Sequence, residues 1–204
     1  MFTKNGNILK INGNWLNPQP EPDPYNPLNL PPNTVRVRTN DGEIPYKNGG
    51  ASYGTATLVP GTTDVYDVYK SGTNFNTLLY FSSNVVEVLG ANTTGITSMS
   101  YMFSRCSSLT NVALFDTSNV TNMSYMFEYC SSLITVTLFN TSKLYNMLSM
   151  FYNCTNVQTG ALALYQQAST QETPPYYYGN AFRNCGRDTV TGAAELAQIP
   201  DDWK

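Results

Sequence analysis

The stretch NMSYMFEYCSSL at residues 122–133 packs two methionines, three aromatic residues and a cysteine into twelve positions. Close copies lie at equal steps to either side, SMSYMFSRCSSL at 98–109 and NMLSMFYNCTNV at 146–157, so that Phe127 stands midway between Phe103 and Phe151. A weaker copy precedes them at 82–99, and NAFRNCG at 180–186 follows after a longer step that includes an insertion. A fixed period of this kind indicates a repeat protein in which each unit packs against the next.

Two hydrophobic periods follow each other inside one unit. The first has the spacing of one helical face and the second ends in the alternation of a strand. The residues concerned are Val120, Met123, Met126, Phe127 and Cys130, followed by Leu133, Val136 and Leu138. A short helix and a short strand within one such unit are typical of leucine-rich repeats. We therefore expect an α/β leucine-rich-repeat solenoid, a parallel sheet with short helices, preceded by a small β-rich cap and an N-terminal tail.

The four cysteines and the methionines allow two interpretations. A metal site would need ligands that converge on one point, whereas Cys106, Cys130, Cys154 and Cys185 hold the same place in successive units. We expect four free, buried thiols in a ladder, and neither a metal nor a cofactor. The methionines are expected to fill the core, with a methionine-rich binding face as the alternative.

The composition argues against most catalytic and nucleic-acid-binding classes. The chain has no histidine, which removes the usual general base and the commonest zinc ligand. Its net charge of -3, with 12% charged residues, provides no basic field for nucleic acid or an anionic membrane. We expect no enzyme; a carboxylate-dependent glycan hydrolase is the remaining enzymatic alternative. The start has no signal-peptide pattern, so we expect a soluble chain that lacks its own export signal or has lost it.

The N-terminal part of the chain is expected to form a tag, a spacer and a cap. Residues 1–17 suit a docking hairpin, because Asn12-Gly13 favours a tight turn between two short strands. Residues 18–32 have proline at nearly every second place, which favours a stiff, extended spacer. Residues 33–75 show strand alternation and a second hairpin, and are expected to form a β-rich cap.

The repeats and the C-terminal end complete this division. Residues 76–186 are assigned to the repeats, and residues 187–204 to a C-terminal cap with a short helix anchored by Trp203. Within the N-terminal cap, Arg36 and Arg38 share one face of a strand. That face is expected to be solvated, and an anion site is the alternative.

Candidate binding residues lie in two places. The insertion TPPYYYGN at 173–180 carries Tyr176, Tyr177 and Tyr178, whose large aromatic faces can stack on sugar rings or on partner side chains. The outward strand positions, called here the strand strip, offer small, mostly polar side chains: Asn111, Ala113, Thr135, Thr137, Thr159 and Ala161. Because aromatic anchors carry most of the binding energy in recognition surfaces, we expect the tyrosines to contribute more than the strand strip.

The line FDTSNVTNMSYMFEYCSSL at 115–133 resembles the BspA-like leucine-rich repeat, and the resemblance extends over about residues 82–186. It implies a binding scaffold of the kind found in adhesion and recognition proteins, some of them in phages of gut bacteria, and it supplies no catalytic residues. Phe115 and Phe139 directly follow the strand leucine, which leaves open which side chain faces the core.

These observations together predict a non-enzymatic recognition or adhesion protein. We expect it on the virion surface of a phage, as a head fibre or decoration protein that contacts a capsid or other virion protein through residues 1–17. The alternative is a bacterial cell-surface adhesin of the BspA-like class. In either case the protein is expected to bind a host-surface protein or glycan, and neither nucleic acid nor a membrane. A homo-oligomer is compatible with the sequence.

Overall fold

The computed structural model describes residues 9–11, 14–16, 28–43, 45 and 54–204. Its elements are β1 (Leu9–Ile11), β2 (Asn14–Leu16), β3 (Thr34–Thr39), β4 (Thr55–Leu58), β5 (Val65–Tyr69), β6 (Val85–Asn92), β7 (Asn111–Val112), α1 (Ala161–Thr170) and α2 (Val190–Gln198). A 3₁₀ turn, Asp201–Trp203, follows α2. Residues 18–27 of the expected spacer lie outside the described residues. Its last residues include Leu30, which is buried and whose carbonyl accepts a hydrogen bond from Asn92.

The first two strands form the expected hairpin. β1 pairs antiparallel with β2, with Leu9 opposite Leu16 and Ile11 opposite Asn14. The expected turn residues, Asn12 and Gly13, lie outside the described residues. That this hairpin docks on a partner stays a prediction.

The second sheet joins the expected cap to the first repeat. Its strand order is β4-β5-β3-β6-β7, antiparallel except for the last pair, in which Glu87 and Val88 of β6 lie parallel to Asn111 and Val112 of β7. The sheet is therefore mixed, and β6 belongs to both the cap and the repeats.

The two arginines of β3 lie on the face opposite the buried valines. Val35 and Val37 are fully buried, so the intervening Arg36 and Arg38 point the other way. Arg36 makes a bidentate ion pair with Asp67 at 2.6 and 2.8 Å. Arg38 has two acidic neighbours, its Nε lying 3.9 Å from Asp64 and 3.7 Å from Glu87. Carboxylates of the chain itself thus occupy the positions that an external anion would take.

The repeat segments 98–109, 122–133 and 146–157, called here the turn units, contain consecutive tight turns instead of helices. From Met99 to Arg105, alternate N–H groups donate to carbonyls of the following unit at 2.7–3.0 Å. The intervening N–H groups, from Met102 to Cys106, donate to the carbonyl three residues back at 3.0–3.2 Å. Parallel bridges at Ser98, Asn122 and Asn146 link one unit to the next.

The expected leucine-rich-repeat solenoid is therefore wrong. The structure has a small mixed sheet of five strands, and its two described α-helices both follow the turn units. Beyond the two-residue β7, the strand positions of the units are joined by an isolated bridge between Thr135 and Thr159 and by single hydrogen bonds, such as Ile134 N to Thr110 O at 3.1 Å. No parallel sheet runs through the described units because each pairs with its neighbour mainly through turn carbonyls.

Left-handed backbone conformations rule out a helix in each turn unit. Tyr125 and Tyr129 have φ values of 57° and 58°, and the same pair of positions in the preceding unit, Tyr101 and Arg105, has 56° and 64°. Non-glycine residues adopt this region at a cost of about 1–2 kcal/mol each. The hydrogen bonds between units and the burial of each unit against the next offset that cost.

The buried residues of the turn units are the ones that the spacing predicts. Val120, Met123, Met126, Phe127 and Cys130 are all at most 1% exposed. The same side chain from each unit stacks on the next, so that Phe103, Phe127, Phe151 and Phe182 form a continuous ring ladder with centroids 5.2–5.9 Å apart. The core is therefore continuous from unit to unit.

The strand positions settle which side chain faces the core. Phe115 and Phe139 are fully buried, whereas the preceding Leu114 and Leu138 are 44% and 51% exposed. Leu138 thus does not continue the apolar strand face, which answers the question that the sequence left open. The larger phenyl ring fills the space opposite Phe127, at 5.9 Å between centroids.

The prediction of four free, buried thiols is confirmed. The Sγ atoms of Cys106, Cys130 and Cys154 each donate to a backbone carbonyl of the preceding unit at 3.0–3.1 Å. Burial raises the pKa of Cys106 to about 12 and raises those of the other three thiols as well. These cysteines are consequently neutral core residues at physiological pH.

The two helices close the far end of the core. Thr189 accepts a hydrogen bond from Gly192 N and so caps α2, while the Glu195 carboxylate of α2 accepts from two N–H groups at the start of α1. Trp203 is 5% exposed, as expected of the C-terminal anchor, and lies beside Phe182, the last ring of the ladder. Within the described chain, no helix has both the length and the apolar character needed to span a bilayer.

Candidate functional site

The structure separates the three predicted tyrosines. Tyr176 and Tyr177 are 67% and 47% exposed. Tyr178 is half-buried, because its ring stacks on Trp203 at 4.3 Å and its hydroxyl donates to Asp202 at 3.3 Å. Tyr178 therefore belongs to the packing of the C-terminal cap, whereas the other two present their rings to solvent.

A third exposed ring, Tyr145, was not identified from the sequence. It is 53% exposed and lies parallel to Tyr176, with 5.6 Å between centroids and 5° between planes. Tyr177 stands perpendicular to both rings, 5.4 Å from Tyr145 and 4.8 Å from Tyr176. These three residues are called here the tyrosine patch. Because Tyr145 precedes α1 and Tyr176 follows it, only the return of the chain after this helix brings them together.

Backbone hydrogen bonds hold the tyrosine patch in place. The N–H groups of Tyr176 and Tyr177 both donate to the carbonyl of Tyr145, at 2.9 and 3.1 Å, and Met147 N donates to the carbonyl of Tyr177 at 2.8 Å. Asn146 and Tyr177 also form a parallel bridge. Tyr177 thus continues the hydrogen-bonding column of the turn units and is not part of a free loop. The rings are therefore preorganised, which reduces the entropy lost when a partner binds.

The tyrosine patch offers aromatic faces and phenol groups but no charged side chain. Partial desolvation and the neighbouring phenols of Tyr177 and Tyr176 raise the pKa of Tyr145, so this hydroxyl is neutral at physiological pH. The described residues contain no group of three or more acidic, cysteine or histidine side chains placed to hold a metal ion. What the patch can do chemically is stack on apolar faces and exchange hydrogen bonds.

The predicted strand strip has weaker means of binding. Asn111 and Thr135 are exposed, but Thr137 is half-buried and its hydroxyl donates to the carbonyl of Val112 at 2.8 Å. Ala161 is buried and begins α1. Within the described chain, no hydrogen bond or ring contact joins Asn111, Thr135 or Thr137 to the tyrosine patch. The structure does not bring the two predicted binding regions together.

An open groove of about 310 Å³ lies between α1 and the segments that connect the turn units. Leu114 and Leu138 form its apolar part. Several of its polar groups already bond to one another, since Gln167 donates to Thr141 at 3.1 Å and Thr141 donates to Gln171 at 3.0 Å. The groove therefore has fewer free hydrogen-bonding groups than its lining suggests.

Comparisons with known proteins place the chain in a family. A comparison with curated proteins and a comparison with solved structures each found no match. A family described as "Mycoplasma protein of unknown function, DUF285" matches residues 63–173, just over half of the chain. The matched range contains Tyr145 and ends before Tyr176, so the tyrosine patch combines one residue inside the range with two outside it. The chain belongs to this family, DUF285.

Proposed function

We propose that this protein is a non-enzymatic recognition protein that binds a host-surface glycan or protein through Tyr145, Tyr176 and Tyr177. The observation that carries the proposal is a group of three exposed, mutually packed rings fixed by backbone hydrogen bonds. Tyrosine supplies rigid contact area at a low entropic cost, and aromatic anchors dominate the energy of recognition surfaces. The resemblance of 115–133 to the BspA-like repeat supports an adhesive role, as does the relation of DUF285 to BspA-like proteins.

The binding test replaces the three tyrosines together. The variant Tyr145→Ser/Tyr176→Ser/Tyr177→Ser should adhere to a mucin-coated surface at least about tenfold more weakly, which corresponds to about 1.4 kcal/mol. Tyr69→Ser is the matched control, because Tyr69 is 46% exposed on β5, in a different part of the chain. Circular dichroism must show that both variants keep the fold. Unchanged adhesion of the triple variant would remove the tyrosine patch as the site, and arginine substitutions at Thr135 and Thr137 would then test the strand strip.

We further propose that residues 1–17 display the protein on a phage virion, as a head fibre or decoration protein. The support is the layout of the chain, in which the β1–β2 hairpin and a proline-rich segment precede the recognition part. The alternative is a bacterial cell-surface adhesin of the BspA-like class, which the family description favours because it names a bacterial protein.

Deletion of residues 1–17 distinguishes the two locations. A virion protein should lose incorporation into purified particles while its circular dichroism spectrum still shows a folded chain. A cell-surface adhesin should instead be found in the envelope fraction with and without residues 1–17. Immunogold microscopy of particles and envelopes from the native source provides the direct measurement.

A further inference from the structure

The turn units also build a second surface, distinct from the tyrosine patch. Each unit has two left-handed positions, and in several units both carry large side chains that are exposed or half-buried. One column contains Tyr101 and Tyr125, and the other contains Phe81, Arg105 and Tyr129. Neighbouring members of a column meet directly because backbone hydrogen bonds join successive units at these positions.

The Arg105 guanidinium lies between two aromatic rings. Its Cζ atom is 4.7 Å from the ring centroid of Tyr129 and 5.9 Å from that of Phe81. Both distances are within the range of cation–π contacts. The Cζ atom lies over both rings, and the guanidinium keeps N–H groups that can donate to a ligand.

Arg105 differs in its partners from the other described cations. Among the described residues, Arg105 takes part in no ion pair and in no side-chain hydrogen bond with an oxygen. Each other arginine or lysine whose side chain the structure describes has an oxygen partner: Arg36, Arg38, Lys70, Lys143, Arg183, Arg187 and Lys204. The acidic neighbour in the next unit, Glu128, accepts a hydrogen bond from Ser104 at 3.0 Å. The charge of Arg105 is thus available for an external anion.

More rings extend the surface around Arg105. Tyr101 and Tyr125 stack at 4.5 Å with 6° between planes, and Tyr80 meets Tyr101 edge to face at 6.4 Å. Tyr152 meets Tyr129 at 5.5 Å. Together with Arg105, these residues form what is called here the arginine–aromatic face: Tyr80, Phe81, Tyr101, Tyr125, Tyr129 and Tyr152. In the described chain, no ring contact links it to the tyrosine patch.

We propose that the arginine–aromatic face binds an acidic saccharide, with the sugar carboxylate on Arg105 and the apolar face of a pyranose ring on the neighbouring aromatic rings. Guanidinium and carboxylate form bidentate, charge-assisted hydrogen bonds. Aromatic faces suit the C–H face of a sugar ring. A single available guanidinium fits one carboxylate and not a polyanion, and the net charge of -3 disfavours nucleic acid. A pyranose is stiffer than an acidic peptide and therefore loses less entropy for the same single charge contact.

The test compares two sugars that differ by the acidic residue. The full chain is titrated with 3′-sialyllactose and with lactose by calorimetry, at low and at high salt concentration. We expect 3′-sialyllactose to bind at least about tenfold more tightly than lactose, a difference of about 1.4 kcal/mol. The difference should shrink at the higher salt concentration because this site is exposed.

Variants assign the effect to Arg105. Arg105→Gln should abolish the preference for 3′-sialyllactose, and Arg105→Lys, which keeps the charge but loses the planar fork, should restore only part of it. Tyr69→Ser, on β5 and outside both binding surfaces, is the control and should leave both titrations unchanged. Because adhesion of the tyrosine-patch variant is measured separately, failure of the tyrosine patch and failure of this proposal are distinguishable. Thermal melts check that each variant is folded.

Three results would overturn the proposal. The first is absence of 3′-sialyllactose binding at millimolar concentration, and the second is equal affinity of the wild-type chain for the two sugars. The third is an oligoglutamate peptide that binds at least as tightly as 3′-sialyllactose and loses its affinity in Arg105→Gln. That last outcome would assign the face to acidic peptides.

Discussion

Replacement of Phe127 by alanine tests whether the ring ladder holds the turn units together. Phe127 is 1% exposed and touches three other rings, with centroids 5.4 Å from Phe103, 5.2 Å from Phe151 and 5.9 Å from Phe139. Its removal leaves a cavity in the middle of the stack and breaks contacts with both neighbouring units. The loss should therefore reach beyond one unit.

The expected magnitude follows from the burial of the ring. Truncation of a buried phenylalanine costs about 3–5 kcal/mol. A chain of this size loses about 2–4 °C of Tm for each kcal/mol, so the Tm of Phe127→Ala should fall by roughly 6–20 °C. Because small domains are stable by about 5–15 kcal/mol, this single change removes a large part of the free energy of unfolding.

The measurement is thermal and urea unfolding followed by circular dichroism, with Phe81→Ala as the matched control. Phe81 is 43% exposed, and its ring centroid lies 5.9 Å from Arg105 Cζ. Its replacement should cost about 1 kcal/mol or less, because an exposed cation–π contact contributes about 0.5–1 kcal/mol. Equal shifts for the two variants would show that the ladder does not carry the stability of the repeats.

Three further predictions concern the core. The four cysteines should resist a thiol reagent in the native chain and react as four equivalents after denaturation, and early labelling of the native chain would contradict their burial. Because burial raises the pKa of Cys106 from 9.0 to about 12, the free energy of unfolding should fall as the pH rises from 9 toward 12. Met126→Lys should cost several kcal/mol by burying a charge, whereas Tyr125→Lys should lose mainly the stack on Tyr101, and equal melting temperatures would refute the assigned faces. Gly186→Ala should lower the free energy of unfolding in urea more than Gly61→Ala does. Both glycines have positive φ, but of the two only Gly186 would place a Cβ against backbone, 2.7 Å from Val157 O. Similar urea midpoints for the two variants would count against this packing.

The sequence alone determined which side chains of the turn units form the core. The regular period identified the positions of Met126, Phe127 and Cys130, and all of them are buried. This succeeded because burial depends on where apolar side chains recur along the chain, and that recurrence is written directly in the residues. The β1–β2 and β4–β5 hairpins and the anchoring Trp203 were also predictable, since turn residues and terminal aromatics act locally.

The tertiary structure decided the backbone conformation that carries this core. A spacing of three and four residues fits one face of a helix, but it also fits consecutive turns that return to the same side. The choice depends on hydrogen bonds such as Tyr101 N to Ser124 O, whose partners lie in another unit. The tyrosine patch likewise depends on contacts between residues that are distant in the sequence. Tyr145 meets Tyr176 only because the chain returns after α1, whereas Tyr178 stacks on Trp203. Contacts between distant residues fix these arrangements, and local pattern carries no information about them.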